Sequence, residues 1–267
     1  MVTVKTLFDA GQLHAAIEEA TREVKVHPAD QARRMTLFEL LCFAGEWERA
    51  EKQLAVIGQQ SADVALAVQV YSDNLRAEQW RAQVWREGLP PAFLTEPPAY
   101  IELHLSVINR IREDNWDAAG ELLDQAEDAR PALSGILNGQ AFENFRDSDD
   151  LTAPVLEMFA RERYVWLPFE QVRRIEIEPP QYLRDLLWVK AKLETTTGLT
   201  GEVFLPALYF GSGQHENEAV KLGRLTDWQE LAEGLARAAG QHVWLAGEEE
   251  IALLDARTLE FESAVTA

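Results

Sequence analysis

The sequence contains little cysteine. Cys42 is the single cysteine among 267 residues, which excludes an internal disulfide framework and a zinc site built from several thiolates. It lies in the apolar stretch of residues 40–44, where we expect a packed thiol rather than a nucleophile. Because 47% of the residues are hydrophobic, the chain can form a full core without such crosslinks.

Basic residues are much fewer than acidic residues. The chain has 25 Lys and Arg against 45 Asp and Glu, which gives a formal net charge of −20. The deficit is spread over the whole chain, with −9 in residues 1–130 and −11 in residues 131–267. A uniformly acidic surface repels phosphate groups, so we expect neither nucleic acid nor an anionic membrane surface as a partner.

Long hydrophobic runs are missing as well. The longest uninterrupted apolar stretches, residues 40–44 and 64–68, are five residues each, whereas a membrane-spanning helix needs ~20. The first residues lack the basic-then-apolar pattern of a signal peptide. We therefore expect no membrane insertion and a cytoplasmic location.

Motifs for catalysis or metal binding are weak. The five histidines share no ligand spacing, and residues 211–213 (GSG) indicate a turn rather than a phosphate loop. Asp147, Asp149 and Asp150 have the oxygen density of a calcium loop but lack its glycine and its final glutamate. We interpret them as a solvated linker or helix cap, with cation binding left open. The sequence thus predicts no enzyme, cofactor or metal site.

The first half of the chain repeats itself at helical spacing. The segment DAGQLHAA (residues 9–16) aligns with FAGEWERA (43–50), which places Gly11 and Gly45 34 residues apart. This is the period of the tetratricopeptide repeat, a pair of antiparallel helices. Glycine suits the end of a helix because a left-handed residue there carries no Cβ penalty. We predict a tetratricopeptide-like array, with an irregular helical bundle as the alternative.

The hydrophobic period changes in the second half. Short runs rich in β-branched and aromatic residues predict strands. These are residues 155–159, 164–167, 172–177, 188–196 and 201–209, with 243–245 and 251–261 as a terminal hairpin. Residues 182–187 and 226–239 predict two helices, the second with Thr226 as N-cap and Gly240 just past its end.

These patterns together predict an α+β fold. We expect a tetratricopeptide-like helical domain over residues 1–130, followed by a connection over residues 131–150. Residues 151–267 are predicted to form a mainly antiparallel β domain with two short helices, and strands are expected only after about residue 150, because the hydrophobic period changes there.

Seven segments in register resemble a known protein family. They are AEQWR (77–81), FENFRDSDD (142–150), APVLE (153–157), YVWLPFE (164–170), PPQYLRDLLW (179–188), LPALY (205–209) and LGRLTDW (222–228). In that order and spacing they are similar to the ImpE family, also called SciE or TagJ, over roughly residues 5–260. Two positions depart from the family pattern: Leu151 replaces an arginine, and Glu162 or Arg163 replaces a turn glycine.

The resemblance implies a role as an accessory protein of bacterial type VI secretion. Family members bind an N-terminal helix of the small sheath subunit and associate with the ClpV ATPase, which recycles the contracted sheath. The family has no catalytic motif. An acidic helical scaffold is compatible with this role, since it would favour a partner helix with a basic rim.

The repeat alignment predicts where a partner would bind. In a tetratricopeptide unit the first helix of each pair lines the concave face, so Met35, Glu39 and Phe43 are predicted to face a partner groove. Met35 and Phe43 would supply an adaptable apolar surface, and Glu39 would select a basic residue. The alternative is that Met35 and Phe43 pack against the neighbouring repeat.

The sequence is compatible with three functions. The first is a non-enzymatic adaptor that docks a helix of the sheath subunit and couples it to ClpV. The second is a generic tetratricopeptide co-chaperone or scaffold with a separate C-terminal ligand module. The third is an enzyme with a site around Arg184, Asp185, Arg224 and Asp227, although arginine–aspartate pairs beside tryptophans commonly fix loops.

Overall fold

Helices form the first half of the chain in the computed structural model, which describes residues 3–60 and 64–262. They are α1 (Val4–Asp9), α2 (Leu13–Val26), α3 (Gln31–Phe43), α4 (Trp47–Gln60), α5 (Ala65–Glu87), α6 (Tyr100–Arg112) and α7 (Trp116–Ala129). The predicted helical first half is confirmed. Within these described ranges, no helix has both the length and the apolar character that crossing a membrane requires.

Two helix turns match the internal alignment. Gly11 follows α1 with a φ of +76°, and Gly45 follows α3 with a φ of +66°. Ala16 and Ala50, the aligned alanines of the second helices, are both 0% exposed, as expected where two helices approach closely. Helix α5 then interrupts the regular spacing, since it runs for 23 residues. The assignment to the tetratricopeptide class stays a prediction.

The second half is built from antiparallel strands. They are β1 (Gly135–Leu137), β2 (Gln140–Phe142), β3 (Phe145–Asp147), β4 (Val155–Ala160), β5 (Arg163–Pro168), β6 (Val172–Ile177), β7 (Trp188–Thr195), β8 (Thr200–Pro206), β9 (Asp227–Ala232), β10 (Leu235–Ala239), β11 (Val243–Ala246), β12 (Glu249–Ala252) and β13 (Thr258–Phe261). An eight-stranded sheet has the order β2-β1-β13-β6-β7-β8-β4-β5, beside the smaller sheets β12-β11-β3 and β10-β9. The predicted α+β class with a mainly antiparallel sheet is confirmed.

Strands begin earlier than the sequence predicted. Residues 131–150, expected to be a connection without strands, contain β1, β2 and β3. Strand β1 pairs with β13 at the far end of the chain, and β3 pairs with β11. The prediction was wrong because three-residue strands are too short to show a two-residue period, and their partners are distant in sequence.

Residues 226–239 form a hairpin, not the predicted helix. Strands β9 and β10 pair across Gly234, whose φ is +74°. The peptide N–H groups of Ala236 and Ala238 donate to the side chains of Asp150 and Asp149 at 2.6 and 2.9 Å. Leu, Ala, Glu and Arg favour a helix here, but these tertiary hydrogen bonds and the left-handed glycine override that local preference.

The other short elements correct smaller details. The predicted helix over residues 182–187 is a 3₁₀ turn at Leu183–Leu186, and a one-turn helix, α8 (Glu218–Lys221), was not predicted. Strands β11 and β12 pair as expected for the terminal hairpin. Strand β13, however, leaves that hairpin and joins β1 and β6 in the large sheet.

One hydrophobic core joins the helices to the large sheet. It includes Leu41 of α3 and Leu75 of α5 together with Trp166 and Trp188 of the sheet. The opposite sheet face carries a second core. The α3–α4 turn also touches the β half directly, because a Cβ on Gly213 would lie 2.7 Å from the Gly45 nitrogen. The β half therefore covers one face of the helical array.

Candidate partner-binding groove

An open groove of about 710 Å³ lies where the first helices meet the β half. Helices α1, α2 and α3 form its floor and one wall, and residues 180–186 form the opposite wall. Along α3 the lining runs from Ala32 to Leu40, which corresponds to about 12 Å at the helical rise. The larger apolar side chains of the lining are Val4, Phe8, Leu40, Leu183 and Leu186.

Paired charges stand at the rim of this groove. Lys5 Nζ lies 2.5 Å from Asp9 Oδ2, and Arg33 Nη1 lies 3.2 Å from Glu23 Oε2. Such solvent-exposed pairs contribute at most about 1 kcal/mol to stability. An apolar floor inside a polar rim is the usual anatomy of a protein interface.

The groove lining contains a carboxylate near its last α3 residue, Leu40. Glu39 is 6% exposed, and its Oε1 accepts a hydrogen bond from Arg184 Nη1 at 3.1 Å. Arg184 Nε donates to the Tyr71 hydroxyl. The guanidinium carbon lies 4.2 Å from the Tyr182 ring centroid and 5.1 Å from that of Tyr71. Two aromatic rings thus position the cation beside Glu39.

Burial dominates the ionisation of Glu39. Loss of solvation raises the pKa of its carboxyl group above the usual range, and the hydrogen bond and charge of Arg184 offset this only in part. The carboxylate is therefore incompletely compensated by its neighbour.

The three residues predicted to face a groove occupy different environments on α3. Glu39 lines the groove, whereas Met35 and Phe43 do not belong to its lining. Phe43 is 0% exposed, and its ring centroid lies 6.0 Å from that of Phe8. Met35 is partly buried and packs against the core shared with the sheet. The repeat geometry alone could not show that the β half packs onto this side of the array.

The sequence reasoning did not assign the β-half wall to the groove. Tyr182 is 57% exposed at its edge, and Leu183 lies in the lining. Their local signal is the preceding pair Pro179 and Pro180, which extends the chain before a short turn. An aromatic residue shortly after two prolines is the sequence feature that could have indicated this wall.

A buried polar network lies between α5 and the sheet. Arg81 donates from Nε and Nη2 to the two oxygens of Glu157 at 3.0 and 2.8 Å. Tyr164 donates its hydroxyl to the same carboxylate. His242 Nε2 lies 3.1 Å from Glu157 Oε2, and its Nδ1 lies 2.8 Å from Asp147 Oδ2. The network fastens the helical half to the β half.

Charges inside the network counteract the effect of burial. Burial would raise the pKa of Glu157, but Arg81 and then His242 hold it well below its usual range. Burial would lower the pKa of His242, yet the carboxylates of Asp147 and Glu157 raise it to about 9. The histidine is therefore an imidazolium at neutral pH, held between two carboxylates.

The acidic turn is buried rather than solvated. Asp147 and Asp149 are 1% and 2% exposed, which corrects the linker interpretation. Asp149 Oδ1 accepts from the Leu151 nitrogen at 2.8 Å, and Tyr209 donates its hydroxyl to Asp147 Oδ1 at 2.6 Å. Burial raises the pKa of Asp149 to about 7, although the Ala238 N–H opposes this. Protein donors, among them the N–H groups of β10, occupy the carboxylate oxygens that a cation would need.

The four charged residues considered as an enzyme site do not form one cluster of contacts. They are Arg184, Asp185, Arg224 and Asp227. Arg184 binds Glu39, as described above. Asp185 Oδ2 accepts the peptide N–H groups at 181 and 182. Arg224 donates to the backbone oxygens at positions 8 and 9 of the first helix, and Asp227 lies 3.3 Å from His215 Nε2. Each member thus fixes a loop or joins the two halves of the chain.

The chain is similar to known proteins over most of its length. The model of the ImpE protein family matches residues 139–260. The type VI secretion system accessory component TagJ of Pseudomonas aeruginosa is 36% identical over 256 residues, which cover 96% of this chain and 90% of that protein. The chain belongs to the ImpE/TagJ family.

A solved structure shares the whole fold. The crystal structure of protein VPA1032 from Vibrio parahaemolyticus superimposes with a TM-score of 0.91 at 25% identity. The match covers 98% of each chain. The ImpE/TagJ family thus includes a type VI secretion accessory component and is not a known enzyme family.

Proposed function

We propose that this ImpE/TagJ protein is a non-enzymatic adaptor of type VI secretion in the cytoplasm. It binds the N-terminal helix of the small sheath subunit in the groove between α1–α3 and residues 180–186. It also associates with the ClpV ATPase during sheath recycling. The open apolar groove with its polar rim is the observation that carries the proposal.

The groove dimensions fit a helix. A stretch of about 12 Å along α3 accommodates about two helical turns, which present apolar residues at the spacing i, i+3, i+4 and i+7. The helical half, proposed as a tetratricopeptide-like domain over residues 1–130, supplies the floor. The proposed β domain, whose sheets also include β1, β2 and β3 within residues 131–150, supplies the second wall.

The chain charge supports a basic partner. With a net charge of −20, the protein attracts positively charged surfaces and accelerates their association at low salt. The same charge repels nucleic acid and anionic lipid. Docking of a helix in the groove requires neither a cofactor nor membrane insertion.

A groove-filling variant tests the docking site. Thr36 lines the groove on α3, and its hydroxyl donates to the backbone oxygen of Ala32. Thr36→Trp should weaken binding of a fluorescent peptide that contains the N-terminal sheath helix by at least about tenfold, or about 1.4 kcal/mol. Thr21→Trp is the matched control, because Thr21 makes the same type of hydrogen bond on α2 outside the groove lining.

The outcomes separate the parts of the proposal. Equal losses in both variants would remove the groove as the docking site, and no binding by the wild type would remove sheath docking itself. Association with ClpV is tested separately by pull-down of the purified ATPase with the sheath peptide bound. Failure to retain ClpV there would contradict the second partnership alone.

A further inference from the structure

Glu39 is a buried carboxylate at an open site with one side-chain partner. Among the described residues, Arg184 is the side chain that donates to it, through Nη1. A carboxylate has about four acceptor positions, so acceptor capacity remains on the groove side. Burial of a charge with so few donors is unfavourable unless a further donor reaches it.

Arg184 has other commitments. Its Nε donates to the Tyr71 hydroxyl, and its guanidinium lies against the rings of Tyr71 and Tyr182. These contacts hold the arginine in the β half, outside the groove lining. Glu39, from α3, belongs to the lining. An occupant of the groove can therefore approach the carboxylate without displacing Arg184.

We infer that Glu39 makes the groove selective for a helix that carries a lysine or arginine at the Glu39 end. The inference rests on the helix-docking function proposed above and adds the chemistry of the occupant. The apolar residues of that helix would contact the partly exposed Phe8, Leu183 and Leu186, and its cation would supply a further donor to Glu39.

The surroundings make this contact selective. Seating a helix on the apolar floor removes water from the carboxylate, and an ion pair is stronger in such a low-dielectric environment. A neutral residue at this position would leave Arg184 as the sole cation beside the buried Glu39, and an acidic residue would be repelled. The pair of Glu23 and Arg33 at the rim is about one-third exposed, so solvent screens it more than Glu39 and its discrimination is weaker.

A double-mutant cycle tests the inference. The probe is the sheath-helix peptide, with a series in which each lysine or arginine is replaced singly by methionine. Glu39→Gln keeps the side-chain size and retains an oxygen acceptor for Arg184. We expect one replacement to weaken binding to the wild type about tenfold, and to weaken binding to Glu39→Gln less than about twofold.

The control is Glu23→Gln, which removes a carboxylate from the rim and should show the same peptide losses as the wild type. Thermal unfolding verifies that both variants fold. Should Glu39→Gln fail to fold, replacing the sensitive cation by glutamate on the peptide should weaken binding to the wild type about a hundredfold.

Three results would overturn the inference. Equal losses on wild type and Glu39→Gln would show that the cation contacts something else, while helix docking itself would stand. A peptide without cations that binds as tightly as the natural one would remove the selectivity. If no peptide binds and sedimentation shows concentration-dependent dimers, the groove takes a second copy of this chain, and the proposed function fails with the inference.

Discussion

Two glutamates in this molecule each meet an arginine across the boundary between helices and sheet, with opposite consequences. Glu157 accepts hydrogen bonds from two nitrogens of Arg81 and from the Tyr164 hydroxyl, and His242 Nε2 lies 3.1 Å from its Oε2. Glu39 accepts from Arg184. Burial opposes ionisation of both, yet the pKa of Glu157 is lowered and that of Glu39 is raised.

The difference shows that the number of donors distinguishes the two sites, since both glutamates are almost fully buried. A carboxylate surrounded by donors joins two parts of a protein and is unavailable to a partner. A carboxylate with one partner residue at the end of an open groove retains capacity for a ligand. The first site is therefore structural, and the second is a candidate for recognition.

Removing the arginine of the structural site should have the largest effect. Arg81→Met leaves Glu157 buried without its main cation, and we expect a loss of about 3–5 kcal/mol in the free energy of unfolding. Urea denaturation measures it. The control is Arg76→Met, because Arg76 is 53% exposed beside Glu162 and should contribute less than about 1 kcal/mol. Equal effects would contradict the contrast between the sites.

The free energy of unfolding should also depend on pH through His242, which lies beside Glu157 in the structural site. The pKa of His242 is about 9 in the folded state and about 6.5 when unfolded. Its contribution is complete below the unfolded pKa and is lost as pH rises towards the folded pKa, by at most about 1.4 kcal/mol per pH unit.

Denaturation at pH 7 and pH 8 measures this effect. Asp149, whose folded pKa is about 7, still loses its proton in this interval and adds a smaller loss of stability in the same direction, which the variant without His242 retains. The raised pKa of the buried Cys42 thiol acts above about pH 8.5, where the unfolded thiol ionises. His242→Gln should flatten the slope between the two values. An unchanged slope would show that another group binds the extra proton.

The smallest effect is expected at the recognition site. Glu39→Gln removes a charge that burial disfavours while it keeps an acceptor for Arg184, so the free energy of unfolding at pH 7 should change by less than about 1 kcal/mol. Chemical denaturation beside Glu157→Gln provides the comparison. A loss at Glu39 as large as that at Glu157 would make it a structural residue and would leave the recognition argument without support.

Much of the fold was predictable because it depends on local patterns. Helical spacing with Gly11 and Gly45 predicted helices where the structure has them, and alternation predicted strands such as Val172–Ile177. The helix predicted over residues 226–239 was wrong because Asp149 and Asp150, almost ninety residues earlier, bind the N–H groups of β10. Local propensity contains no information about such distant partners.

The candidate site was predicted in part. Glu39 was chosen from repeat geometry and lines the groove. Phe43 was chosen by the same rule and is fully buried, because the β half packs against the array. The opposite wall, with Tyr182 and Leu183, comes from a segment more than 140 residues away. Helical periodicity cannot show which distant segment covers a helix face.

Sequence patterns sufficed to predict the helical first half, the antiparallel second half, the acidic surface and, through seven segments in register, the family. These features depend on composition, period and residue identity, which are local or additive properties of a chain. Tertiary structure alone decided that Glu157 meets three donors and Glu39 meets Arg184. The physical reason is that solvation and pairing of a buried charge depend on groups that folding brings together from distant positions.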